Sequence, residues 1–283
     1  MNPKGSCAAN PLWNAPVWGV IAATGLLSLL RVSHIWIAGA DYGVVDNSVA
    51  SLKQPAAALQ AAAWQFSTLL GLLCAGILVG TGLGQALEGG TWSMLRLHEQ
   101  RVSMLLFRKI AAALIVQTSG LVLTAGALWA GVITLSRVFP VRARTLPSGA
   151  GAVHPVPPDV VTWGDAFAAV ASALLVQIFF IAMIACATAL LRSVIGSLAL
   201  GLGPIVVTAP LVLLPVAPLL PHRWIADLLN LPSEAQYQLY FWNQAPPNPS
   251  TTVGGLALGA TAALLLAAAW SLLRSEHALK PVD

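Results

Sequence analysis

The sequence predicts an all-α integral membrane protein with six transmembrane helices. Composition is the first reason: of 283 residues, 57% are hydrophobic and only 8% charged, with a mean hydropathy of +0.79, against roughly 25% charged residues in ordinary soluble domains. Run length is the second, because a hydrocarbon core about 30 Å thick needs about 20 apolar residues of helix, and several runs reach that. Third, only helices and closed barrels satisfy their backbone in lipid, and the alternating segments of about ten residues expected of a barrel are not seen.

Span 1 is predicted over Leu12 to Leu30, with apolar residues continuing through Val32, Ile35 and Ile37. Lys4 is the only early base and this run outlasts a signal-peptide h-region, so no cleaved signal is predicted. Span 2, Ala61 to Leu87, is uncharged, and Gly76, Gly80 and Gly84 recur at i, i+4, i+8, the spacing that lets helices approach closely, within one chain or between subunits. Span 3 covers Ile110 to Ser136. The run from Ala166 to Leu220 is about twice a span and contains a single charge, Arg192, so a tight hairpin at Arg192 and Ser193 separates span 4 (166–191) from span 5 (193–220). Span 5 carries Pro204, Pro210, Pro215 and Pro218, each deleting a backbone donor, so it is kinked or broken towards its far end. Span 6 runs from Val253 to Leu273. Trp13, Trp64, Trp129, Trp163 and Trp270 fall near span ends, where amphipathic rings settle.

Six spans put both termini on one side. With the termini inside, the inner segments hold Lys4, Arg96, Arg101, Arg108, Lys109, Arg192, Arg274 and Lys280, and the outer ones Lys53, Arg137, Arg142, Arg144 and Arg223. The excess of inner bases predicts cytoplasmic termini in the cell membrane. Outer residues 137–165, rich in proline and glycine, read as an extended connection. Outer residues 221–252 mix aromatic and polar residues at near-helical spacing, which predicts short interfacial or re-entrant helices, or a folded cap.

Several chemistries lack their residues. The net charge of +4 comes from bases scattered at the ends of apolar runs, which fits a membrane-flanking role and predicts no nucleic-acid partner. None of the lysines at 4, 53, 109 and 280 follows the glycines of a P-loop, so ATP binding by that motif is excluded. No zincin spacing accompanies His98 and Glu99, no G-x-S-x-G elbow is present, and the five histidines are dispersed, so neither a metal site nor a catalytic set is predicted. Cys74 and Cys186 lie in apolar runs and Cys7 near the start, which gives no disulfide framework. Arg31 is the one charge that could face a pathway, or it snorkels at the outer boundary if span 1 ends near Leu30. Gln117 and Gln177 are polar residues within the spans, and neither carries a proton's charge.

The segment "EGGTWSMLRLHEQR", residues 88–101, is the polar interruption between spans 2 and 3. Thr91 can cap a helix after Gly89 and Gly90, and Trp92, Leu95, Glu99 and Val102 then share one side. Such a helix either lies on anionic lipid head groups or docks a soluble partner through an aromatic anchor with a charged rim.

The run Glu88, Gly90-Thr91, Arg101 and Lys109 resembles the cytoplasmic segment of type-2 permeases of ATP-binding cassette exporters, which looks like E-x-x-G-T followed by a leucine-rich stretch, an arginine and a lysine. Those permeases have six spans, place this segment between spans 2 and 3, and have a proline-rich fifth span followed by an outer re-entrant element. Here "MNPKGSCAANPLWN" stands where that family has a basic amphipathic helix, and "HEQR" where a proline often precedes its arginine. The resemblance implies a coupling helix within residues 88–103, with Glu88, Gly90, Thr91, Trp92, Leu95, Arg101 and Lys109 in or beside it, resting in a groove of a separate ATPase subunit. That subunit would bind ATP and magnesium, and a second permease copy or homologue would complete the pathway within the membrane lipid. A stand-alone secondary carrier would call for inverted repeats and intramembrane ionisable residues, neither of which is found; a membrane scaffold is the other alternative.

Overall fold

The computed structural model describes residues 15–40, 44–45, 47–98, 101–140, 142–143, 160–208, 219–229 and 250–275. Among them all regular structure is helical except one short parallel pairing, Val44–Val45 (β1) with Arg142–Ala143 (β2). In chain order the helices are α1 (Ala15–Ala40), α2 (Asn47–Ser51), α3 (Pro55–Phe66), α4 (Leu69–Val79), α5 (Gln85–Glu88), α6 (Thr91–His98), α7 (Val102–Val138), α8 (Trp163–Leu191), α9 (Val194–Thr208), α10 (Pro221–Leu229) and α11 (Thr251–Arg274). A wider π turn, Gly80–Gly84, joins α4 to α5.

Five stretches among the described residues are long and apolar enough to cross a membrane: Pro16–Ala38, Leu70–Glu88, Val102–Val138, Trp163–Leu191 and Thr251–Arg274. The chain is an all-α membrane protein. These stretches contain predicted spans 3, 4 and 6 and overlap predicted spans 1 and 2, from Pro16 and Leu70 onwards; predicted span 5 is represented by the 15-residue α9, and residues 209–218 lie outside the described residues. The apolar residues Val32, Ile35 and Ile37, which carry span 1 past Leu30 in the sequence, lie inside α1, and the helix continues to Ala40 through Arg31 and His34. Span 3 is longer at both ends than predicted. The 37 residues of α7 reach about 55 Å at 1.5 Å per residue, so the helix projects beyond a hydrocarbon core.

Several helix starts carry their own caps. Pro55 opens α3, where its missing N–H would have had no partner. Thr162 and Asp165 form a reciprocal box at α8: the Asp165 N–H donates to Thr162 Oγ1 at 3.2 Å and the Thr162 N–H to Asp165 Oδ2 at 3.1 Å. Ser250 accepts the Val253 N–H at 3.3 Å at the start of α11.

The chain divides into two units. One comprises Trp18–Trp64 and Ser119–Ala171. Its core gathers Val32 and Trp36 of α1, Val49, Ala50, Leu52 and Ala58 of the α2–α3 region, and Leu128 and Val132 of α7. Polar contacts pin the turn between α2 and α3: the Trp129 indole donates to the Lys53 carbonyl at 3.0 Å, Gln54 Oε1 accepts the Val161 N–H at 3.2 Å, and the Lys53 ammonium lies 5.2 Å over the Trp36 ring. Trp36 also donates to the Phe139 carbonyl at 3.0 Å. Within this unit α1 meets α7 over glycine: a methyl on Gly120 would come within 2.8 Å of Ile21, and one on Gly131 within 2.5 Å of Leu29.

The other unit comprises Met1–Val17, Gln65–Thr118 and Ser172–Asp283. Predicted span 2 is not one straight helix. The chain breaks at Ser67–Thr68, where Thr68 caps α4 by accepting the Leu70 N–H at 3.3 Å. The break leaves the Phe66 carbonyl without a helical partner, and the buried Gln177 of α8 donates to it. The predicted hairpin at Arg192 and Ser193 is present. Arg192 adopts φ 54 and donates its N–H to the Thr188 carbonyl at 2.8 Å, closing α8, while Ser193 Oγ accepts the Gly196 N–H at 3.4 Å and opens α9. The Gly76, Gly80 and Gly84 stripe receives α9 of the same chain: added methyls would meet Leu198 at 2.5 Å and Val194 at 3.3 Å and 3.0 Å respectively. Helix α10 packs on α11 at Gly254, where a methyl would stand 2.8 Å from the Leu228 nitrogen.

Candidate coupling segment

Glu88 is the last residue of α5, and two glycines separate it from α6. Gly90 takes φ 69, a left-handed backbone that glycine adopts without the Cβ clash facing other residues. The Gly89 N–H donates to Gln85 O at 2.9 Å and the Gly90 N–H to Leu87 O at 3.3 Å, so the end of α5 is hydrogen-bonded and the chain turns directly into α6. The motif itself needs a correction: the chain reads E-G-G-T, with one residue between Glu88 and the Gly-Thr pair, one fewer than the E-x-x-G-T form.

Thr91 does not take the predicted capping role. It is the first residue of α6, and its hydroxyl donates backwards to Ala86 O at 3.3 Å, clamping α6 to the end of α5. Ser93 Oγ donates to Gly90 O at 2.9 Å.

The two sides of α6 differ. Trp92 is 1% exposed, and its indole nitrogen has no hydrogen-bond partner among the described residues. Leu95 is half-buried, Thr91 is exposed and Met94 is 69% exposed. Of the four residues predicted to share a side, Trp92 and Val102 are buried and Leu95 half-buried, while Glu99 lies outside the described residues. The aromatic expected as an outward anchor therefore faces the protein, and among the described side chains of α6 the apolar one presented outwards is Met94.

Arg101 precedes α7 and is exposed; its carbonyl accepts the Met104 N–H at 3.0 Å and the Leu105 N–H at 3.3 Å. Lys109, half-buried about two turns into α7, lies along the π turn: a methyl on Gly82 would meet its Cδ at 3.6 Å and its Nζ at 3.9 Å. Glu88 Oε2 accepts the Val194 N–H of α9 at 3.3 Å.

The residues predicted to line a pathway or outer boundary are dispersed. Arg31 stands inside Pro16–Ala38 rather than at the end of a helix, and its side chain is exposed, as is that of His34 one turn on. Gln117 is 1% exposed, with neither amide atom partnered among the described residues. Gln177 serves the broken span, as described above. Sequence reasoning missed Val194 and Met94. Glu88 continues the Gly76, Gly80, Gly84 series by another four residues, but it meets Val194 only because of the π turn at Gly80–Gly84, which the sequence pattern does not announce.

Among the described residues no group of three or more His, Cys, Asp or Glu side chains comes together as a metal site. No protein-family model, curated protein or solved structure matches the chain.

Proposed function

We propose that this chain is the transmembrane subunit of an ATP-driven exporter of the ATP-binding cassette type, a type-2 permease that forms half of a translocation pathway. The observation that carries the reading is the short α6, bracketed by the Gly89-Gly90 turn at the end of one span and by Arg101 at the start of the next, with Met94 turned outwards. A membrane span connected to its neighbour by an eight-residue helix, rather than a tight turn, presents a lever that a soluble partner can press.

In this reading α9 begins the fifth of six spans, both termini are cytoplasmic, and the chain lies in the cell membrane. A separate ATPase subunit binds ATP and magnesium, and its movement reaches the spans as a rigid-body shift of α6. A second copy or a homologous permease supplies the other half of the pathway.

The test is ATPase activity in membranes holding the candidate ATPase subunit, alone and coexpressed with this chain. Activity that depends on this chain, and on residues 90–98, is the expected outcome. Activity indifferent to both, together with unchanged pull-down of the ATPase after deletion of 90–98, would remove the coupling role and leave α6 as a lipid-surface helix.

A further inference from the structure

A carboxylate placed where a partner-binding residue was predicted instead closes a seam inside the chain. Positions 76, 80, 84 and 88 are four residues apart, and four residues of α-helix turn about 40° more than a full circle. Over three such steps an unbroken helix would carry position 88 about 120° off the face that began at Gly76. The π turn at Gly80–Gly84 is wider than an α turn and so takes back part of that drift. The result is one face on which Gly76 receives Leu198, Gly80 and Gly84 receive Val194, and Glu88 accepts the Val194 N–H at 3.3 Å.

That N–H belongs to the first turn of α9, whose donors have no partner within the helix. Ser193 Oγ accepts the Gly196 N–H, and Glu88 accepts the one at Val194. An acidic group at a helix N-terminus is also favoured by the aligned peptide dipoles. Among the described residues this N–H is the only hydrogen-bond partner of the Glu88 carboxylate.

We infer that Glu88 is a positioning residue, fastening the end of α5, and with it α6, to the start of α9, rather than a contact to the ATPase subunit. Resting on the exporter reading for its role in coupling, the inference adds a second route: a push on α6 reaches α9 across the seam as well as α7 along the chain.

Hydrogen exchange of the full chain in lipid nanodiscs tests the fastening without any ATPase. In the peptide spanning residues 190–200, Glu88→Ala is expected to raise exchange about fivefold or more, while Glu88→Gln, whose amide oxygen still accepts, stays near wild type. Unchanged exchange in Glu88→Ala would overturn the inference. Val194→Pro removes the donor at a first-turn position where proline is tolerated. With the ATPase coexpressed, Val194→Pro and Glu88→Ala are each expected to lower the stimulated activity, the double variant no further than either single one, and Glu88→Gln to restore it. Loss of ATPase pull-down in both Glu88→Ala and Glu88→Gln would make Glu88 a docking residue and refute the positioning role. Should no variant, nor wild type, stimulate the ATPase, the exporter reading falls, and exchange alone decides the fastening.

Discussion

Trp92 and Met94 stand two residues apart on α6 and carry opposite roles. Truncating Trp92 to alanine removes a fully buried indole and is expected to lower stability by about 3–5 kcal/mol, read as a fall in the thermal midpoint of the purified chain. Met94→Ala, at an exposed site, is expected to stay within about 0.5 kcal/mol of wild type while weakening pull-down of the ATPase. Equal loss of stability in both would sink the assignment of faces. The sequence marked α6 and its amphipathic character, yet eight residues make little more than two turns, and an apolar residue on each side leaves inside and outside undecided until the neighbouring helices are placed.

His222 gives a second expectation at this scale. A carbonyl only accepts, so its bond to Ile205 O at 2.8 Å fixes the proton on Nε2. Burial lowers the imidazole pKa, and the bond to Ile205 opposes that only in part. The fold thus favours neutral His222, and the unfolded chain binds the extra proton first. The stability it contributes is fully present above the ordinary histidine value of about 6.5 and is lost as pH falls below it. Thermal midpoints measured from pH 7.5 to 5.5 should decline in wild type and decline less in His222→Gln; parallel declines would exclude this group.

At the scale of elements, the apolar runs located every long helix, because hydropathy over about 20 residues reports the lipid core directly. They did not reveal the break at Ser67–Thr68 or the π turn. Ser and Thr pass unnoticed in a long apolar run, and what stabilises this break is a partner far along the chain, Gln177 of α8. Gln177→Leu keeps the bulk and removes the donor. It should leave the Phe66 carbonyl unsatisfied and cost about 1–3 kcal/mol, with exchange rising around residues 66–70. A stability unchanged from wild type would mean that the break holds without it. The α8–α9 hairpin was legible for the opposite reason: its signal is local, a lone arginine in a double-length apolar run.

Over the whole molecule, the charge pattern and the span count together predict which side each connection faces. In a background with Cys7, Cys74 and Cys186 replaced by serine, a cysteine at Thr251 should react with a membrane-impermeant maleimide in intact cells, and one at Ser103 only after the membrane is opened. Both positions are exposed, so access reports the side. The reverse pattern would invert the topology and put α6 beyond reach of a cytoplasmic ATPase.

The seam over Gly84 also reaches past any single experiment. A methyl there would stand 3.0 Å from a Val194 methyl and 3.5 Å from the Val194 Cα, so the space is shared between two positions 110 residues apart. Evolutionary drift at one is then conditional on the other. In descendants of this sequence a larger residue at 84 should arise only in lineages where 194 has already shrunk, and the two columns should covary in volume although each, viewed alone, looks freely variable.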